Sequence, residues 1–113
     1  MRILIAYVAC LISLLQPLNA AAATVPDSKM AYVGEWVGTN MRLKIGQDGK
    51  IAYKRTGVEL QVDVNIELSA FEGDNFVAGV GPFLTVFLVS KPPHSRGSST
   101  RMVVDGVELT KVD

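Results

Sequence analysis

The sequence predicts an all-β fold, a small antiparallel barrel or sandwich of about seven to eight short strands. Three observations carry that expectation. From Val33 onward apolar and polar residues alternate with a period of two over most of the chain. Asp-Gly pairs, which supply the positive φ of tight hairpins, stand between alternating segments at Asp48-Gly49 and Asp105-Gly106. Residues 1–23 have the composition of an export leader, so the strands belong to one small domain.

In the leader, Arg2 supplies a positive start, Ile3 to Leu15 form an apolar run broken only by Ser13, and Ala20-Ala21-Ala22-Ala23 offers small residues to a signal peptidase. The run is about thirteen residues long, whereas a membrane-spanning helix needs about twenty. It is therefore read as a cleaved signal rather than an anchor, with cleavage after Ala20, Ala22 or Ala23, and no membrane span is expected afterwards. Cys10 lies within the apolar run, too early for a lipid-modified residue, and is a small hydrophobe of the signal. The expected organisation is a signal peptide over 1–23, an N-terminal linker over 24–32 and a barrel-like domain over 33–113.

Removing the leader removes the one cysteine of the sequence, and with it any disulfide, thiol nucleophile or thiolate metal ligand. Asn40, Asn65 and Asn75 are followed two residues later by Arg42, Glu67 and Val77, so none is a glycosylation acceptor. A periplasmic or secreted location in a bacterial envelope fits an exported domain of this kind. Of eleven basic residues only Arg2 leaves with the leader, which puts the mature net charge close to −1. That balance argues against nucleic-acid binding, which needs an excess of Lys and Arg to displace counterions.

The strands follow in order. Gly34-Glu35-Trp36 opens the first. Met41, Leu43 and Ile45 alternate with Arg42 and Lys44, then Asp48-Gly49 turns the chain into Ile51-Ala52-Tyr53-Lys54-Arg55. After a turn at Thr56-Gly57, the run from Glu59 to Leu68 places Leu60, Val62, Val64, Ile66 and Leu68 on one face and Glu59, Gln61, Asp63, Asn65 and Glu67 on the other. Burying those five aliphatic side chains contributes roughly 10 kcal/mol at about 2 each, largely offset by an ordering cost of about 1.5 kcal/mol per residue. Such a strand needs a closed core opposite it. A turn at Glu72-Gly73-Asp74-Asn75 follows.

Phe83-Leu84-Thr85-Val86-Phe87-Leu88-Val89 is apolar on both faces. A strand of that kind is covered on both sides, exposed to a partner or lines an apolar pocket. The simplest expectation is a central strand with its outer face under a loop or the N-terminal segment. Lys91 to Ser99, with Pro92, Pro93 and Gly97, reads as a mobile loop. The hairpin Arg101 to Val112 closes the chain around Asp105-Gly106.

No constellation for catalysis stands out. His94 is the lone histidine, without a second histidine or a cysteine to make a metal site. Ser95, Ser98 and Ser99 lie near it, but no Gly-x-Ser-x-Gly elbow is present and no spacing supplies a carboxylate to orient the ring. Glu72 and Asp74 flank Gly73 as turn formers, and Gly79-Val80-Gly81 is not followed by a helix that would make it a phosphate cradle. The expectation is a protein that is not an enzyme, with no catalytic residue, metal or cofactor.

The Gly34-Glu35-Trp36 opening followed by a meander of hairpins resembles the Gly-x-Trp start of the lipocalins and the wider calycin barrels. The resemblance implies that Trp36 plugs one end of an up-and-down barrel and that a basic side chain from the last strands, Arg101 or Lys111, packs over it. The mature chain is shorter than a typical lipocalin and lacks the disulfides and C-terminal helix common in that family, so the implied interior is smaller or filled. Two functions follow as expectations. One is a carrier or sensor whose interior, with Tyr53, Phe76, Phe83 and Phe87 as lining, accepts a hydrophobic small molecule. The other is an interaction factor, an inhibitor or envelope-assembly protein, whose contact surface is the Phe83–Val89 strand and the Lys91–Ser99 loop.

Overall fold

Alternation and turn chemistry together produce an all-β molecule. The computed structural model describes residues 23–57 and 59–112, so the signal peptide read over 1–23 lies, except for Ala23, outside the described residues. A short 3-10 helix, Asp27–Tyr32, precedes nine strands: β1 Gly34–Gly38, β2 Met41–Ile45, β3 Lys50–Thr56, β4 Gln61–Glu72, β5 Asn75–Val80, β6 Phe83–Phe87, β7 Val89–Arg96, β8 Ser99–Val104 and β9 Val107–Val112. They form one antiparallel sheet in the order β6-β5-β4-β3-β2-β1-β9-β8-β7.

That order has a consequence for the two ends of the sheet. Every neighbouring pair is antiparallel, so an even number of reversals separates β6 from β7 and the two run in the same direction. Only Leu88 lies between them. They are one extended run of chain, pairing with β5 through its first half and with β8 through its second. Counted as runs of chain, nine strands become eight. Followed around the sheet, the pairing slips by about a dozen residues, a stagger that tilts the strands and curls the sheet towards a barrel. The curl closes through the covalent chain at Leu88, not through a ladder, and side chains pin the junction. Val89 N–H donates to Asn75 Oδ1 at 2.7 Å and Leu88 N–H donates to Asp105 Oδ1 at 2.9 Å.

The sheet buries one face. Trp36, Leu43, Ile51, Phe76, Met102, Val104 and Leu109 are its most enclosed large side chains, and no polar or charged residue is buried among the described residues. The Asp105-Gly106 hairpin joins Val104 to Val107 with φ of 49° and 79°, the two positive values of a type I′ turn. Asp48-Gly49 belongs to a longer connection in which Gly46 N–H bonds Lys50 O at 2.9 Å and Asp48 Oδ1 accepts from Lys50 N–H at 3.1 Å.

Four expectations change. The 24–32 linker folds into the 3-10 helix and its approach, with Val25 and Tyr32 buried in the core. Lys91–Ser99 is not a loop. It is β7 up to Arg96, a turn at Gly97-Ser98 and the start of β8, because an edge strand tolerates prolines whose missing N–H would face away from the ladder. The Phe83 strand ends the sheet instead of occupying its centre. Ile66 and Leu68 of β4 are buried, but Val64 of β4 and Leu60, just before it, are exposed, so the five aliphatic side chains do not share one closed core.

Candidate functional site

One end of the curled sheet is sealed. The 3-10 helix lies across it, and three hydrogen bonds fix its position. Trp36 Nε1–H donates to the Tyr32 carbonyl at 2.9 Å, the Tyr32 hydroxyl donates to the Asp74 carbonyl at 2.8 Å, and Lys29 Nζ donates to the Gly73 carbonyl at 2.8 Å. The helix is thereby tied to β1 and to the β4–β5 turn. Tyr32 packs edge-on against Phe71 at 5.1 Å and Phe76 at 6.4 Å. Burial, reinforced by the Asp74 charge, pushes the Tyr32 phenol up to about 12, because ionising it places a second negative charge in a poorly solvated site.

Trp36 is fully enclosed at this end. Of the two basic residues that the sequence offered as its cover, Lys111 lies opposite it in the β1–β9 register and puts Nζ 5.6 Å from the ring centroid, within range of a cation–π contact. Arg101 is elsewhere. It belongs to the outward-facing set of β8 and donates through Nη1 to Glu108 Oε1 at 3.0 Å.

From the sealed end a line of aromatic rings runs along the interior. Phe71 tilts against Phe76 at 6.2 Å, Phe76 stacks on Phe87 at 4.8 Å and 9°, and Phe87 meets Tyr53 edge-on at 5.3 Å. Beyond Tyr53 the interior is open. β5 turns back at Gly81-Pro82, and its last register partners on β4 lie near Glu67. Among the described residues the first residues of β4 therefore pair only with β3, and no strand there neighbours their inward side chains on the other side. Val64 is 41% exposed and Phe83, across the opening, 81%.

The result is a cavity of about 280 Å³ on the concave side of β3 to β6. Its apolar walls come from Tyr53, Val62, Val64, Ile66, Phe83 and Phe87, and Thr85 and Asp105 add polar groups. Gly79 belongs to the same wall. A Cβ there would collide with the Phe83 carbonyl oxygen, so the close approach of β5 to β6 that shapes the wall requires glycine. A larger depression of about 670 Å³ over β2 to β5 is bordered by Lys44, Asp48, Lys50, Asn65 and Glu67 and by the apolar Ile51, Ala52, Ile66 and Val80, the last two shared with the cavity wall. Charges of both signs ring it, unlike the mouth.

The structure brings together three of the four residues expected to line a pocket: Tyr53, Phe83 and Phe87. Phe76 sits beneath them, buried under Phe87 as the floor. Val62, Val64 and Ile66 were missed as lining, although the β4 alternation had already placed them on the same face. His94 Nδ1 lies 2.9 Å from the Pro92 carbonyl of its own strand, and the Ser99 hydroxyl donates across the β7–β8 turn to the Arg96 carbonyl at 3.0 Å, so these groups are not engaged with each other. Among the described residues no three His, Cys, Asp or Glu side chains cluster to hold a metal, and no helix is long and apolar enough to cross a membrane. No protein-family model, curated protein or solved structure matches the chain.

Proposed function

We propose that this chain is a small exported binding protein, calycin-like in design, that acts in the bacterial envelope as a carrier or sensor of a hydrophobic small molecule and performs no catalysis. One observation carries the reading: apolar side chains of β3 to β6 surround a concave opening that the described residues leave uncovered. Ligand sites are typically concave and mostly apolar, with a few placed polar groups, and Thr85 and Asp105 are the polar groups here. At about 280 Å³ the cavity falls just below the roughly 300–1,000 Å³ usual for such sites. The ligand is accordingly a compact molecule, or the terminal part of a longer one that projects past Phe83.

Native mass spectrometry of protein taken from its own envelope tests this. A retained apolar passenger at one per chain, absent from a Val64→Trp variant that fills the mouth, is the expected result. Protein that leaves the envelope empty and binds no hydrophobic dye contradicts it. A second reading, an interaction factor, is favoured by the exposed outward side chains of β6, Leu84, Val86 and the adjacent Leu88.

A further inference from the structure

The chain lays its own cations over aromatic rings at one end of the sheet and not at the other. Lys29 Nζ lies 5.6 Å from the ring centroids of both Tyr32 and Phe71, and Lys111 Nζ lies 5.6 Å from that of Trp36, so three rings near the sealed end have an ammonium within cation–π range. Among the described residues no such cation stands over Tyr53, Phe83 or Phe87, the rings that line the cavity.

One charged residue lines the cavity, and it is an acid, Asp105. It is half-buried in the β8–β9 hairpin and is held at the inner end of β6, where Leu88 N–H donates to its Oδ1 at 2.9 Å and its own N–H donates to the Leu88 carbonyl at 2.7 Å. Both partners are neutral. The ion pairs among the described residues engage Glu35, Asp63, Asp74 and Glu108, and none engages Asp105. β5 and β6 offer no counter-ion, since no charged residue occurs between Asp74 and Lys91. Lys44 and Lys50 of the neighbouring depression stand with Asp48 and Glu67 and do not line the cavity.

The sign of this charge selects a ligand. Thr85, the other polar group of the wall, has a hydroxyl that donates or accepts and so serves either sign, whereas an ionised carboxylate only accepts. A ligand carboxylate or phosphate would meet like charge at Asp105 and the negative faces of the rings. We propose that the cavity selects a protonated amine on a compact apolar body, with the ammonium donating to Asp105 and the body lying over Phe87 and Tyr53 towards Phe83. This rests on the reading of the cavity as a ligand site and adds the charge of what it takes. The carboxylate receives the ammonium in a charge-assisted hydrogen bond, and the rings attract the same positive charge. Because Leu88 follows the buried Phe87 while Phe83 is exposed at the mouth, the charged end of the ligand is the inner one and the apolar end projects.

Octylamine, octanol and octanoate share an alkyl body and differ in charge at neutral pH, so calorimetric titration with the three supplies the test. Octylamine is expected to bind tightest, about tenfold or more ahead of octanoate, with octanol between them. Asp105→Asn retains an acceptor for Leu88 N–H and a residue type that tolerates positive φ, and is expected to bring octylamine and octanoate within about threefold of each other. Glu72→Gln, which removes an exposed carboxylate at the β4–β5 turn, is expected to leave the order unchanged. The proposal is overturned if octanol or octanoate binds as tightly as octylamine, if the preference survives Asp105→Asn, or if Glu72→Gln abolishes it. Binding by none of the three sinks the reading of the cavity itself, and this inference with it. If Asp105→Asn does not fold, salt decides the matter on the unaltered chain. Added sodium chloride should narrow the gap between octylamine and octanoate by screening Asp105, and a gap that salt leaves unchanged overturns the proposal.

Discussion

The two ends of the curled sheet are made from the same kinds of residue and do opposite things with them. At the sealed end Tyr32, Trp36, Phe71 and Phe76 are packed against one another beneath a 3-10 helix that is hydrogen-bonded to both β1 and the β4–β5 turn. At the mouth, Val64 and Phe83 face a space that no segment of the described chain fills. The difference is not one of hydrophobicity. It lies in whether a neighbouring element completes the enclosure. Side chains at the sealed end should govern stability, and those at the mouth should govern what is bound.

The largest expected effect is at the sealed end. Trp36→Ala removes the most enclosed large side chain and its bond to Tyr32, and is expected to cost about 3–5 kcal/mol, measured by urea unfolding. For a domain with a total stability of about 5–15 kcal/mol, that is a severe loss. The opposite pattern is expected at the mouth. Phe83→Ser should leave stability within about 1 kcal/mol of the unaltered chain while weakening an apolar ligand by about tenfold or more, since burying a phenylalanine against a ligand is worth roughly 1.5–3 kcal/mol. If Phe83→Ser unfolds the protein as readily as Trp36→Ala does, the division between the ends disappears.

Alkaline titration sharpens the account of the sealed end. The Tyr32 phenol is raised from 10.0 to about 12 in the folded chain. Its contribution to stability is therefore intact below about pH 10 and falls away as pH rises towards 12, because the unfolded chain releases that proton first. Tyr32→Phe should show a shallower loss of stability across that interval, read from unfolding curves at successive pH values. An identical slope means that the phenol is solvated. The smallest effect concerns the cover of Trp36. Lys111→Ala should lose about 0.5–1 kcal/mol of cation–π contact, whereas Arg101→Ala, which removes a surface ion pair, should lose less. A reversal of that order places the wrong cation over the ring.

The strands were legible because period-two alternation and hairpin chemistry are local signals. Asp105-Gly106 lies at its turn, Trp36 is enclosed, and Tyr53, Phe83 and Phe87 converge on one cavity. What was not legible depends on neighbours. Alternation along β4 shows which side chains share a face, but whether that face is covered depends on where β5 stops, and Val62 and Val64 were missed for that reason. The prolines of Lys91–Ser99 suggested a loop because a proline forbids a ladder bond only on one flank, and the free flank of β7 is not marked in the sequence. Phe83–Val89 reads as central by composition, yet the strand order places β6 last. Residues 24–32 read as a linker, while Tyr32 two residues before β1 supplies the contact that folds them over the end.

The central claim is that the mouth is a binding site left open by the fold. Fluorescence titration of the unaltered chain and of Val64→Trp with an apolar dye tests it most directly, with far-ultraviolet circular dichroism recorded for both. The account predicts saturable binding of one dye per unaltered chain, and its loss in Val64→Trp with the β spectrum unchanged. Equal binding by the two proteins, or none by either, contradicts it.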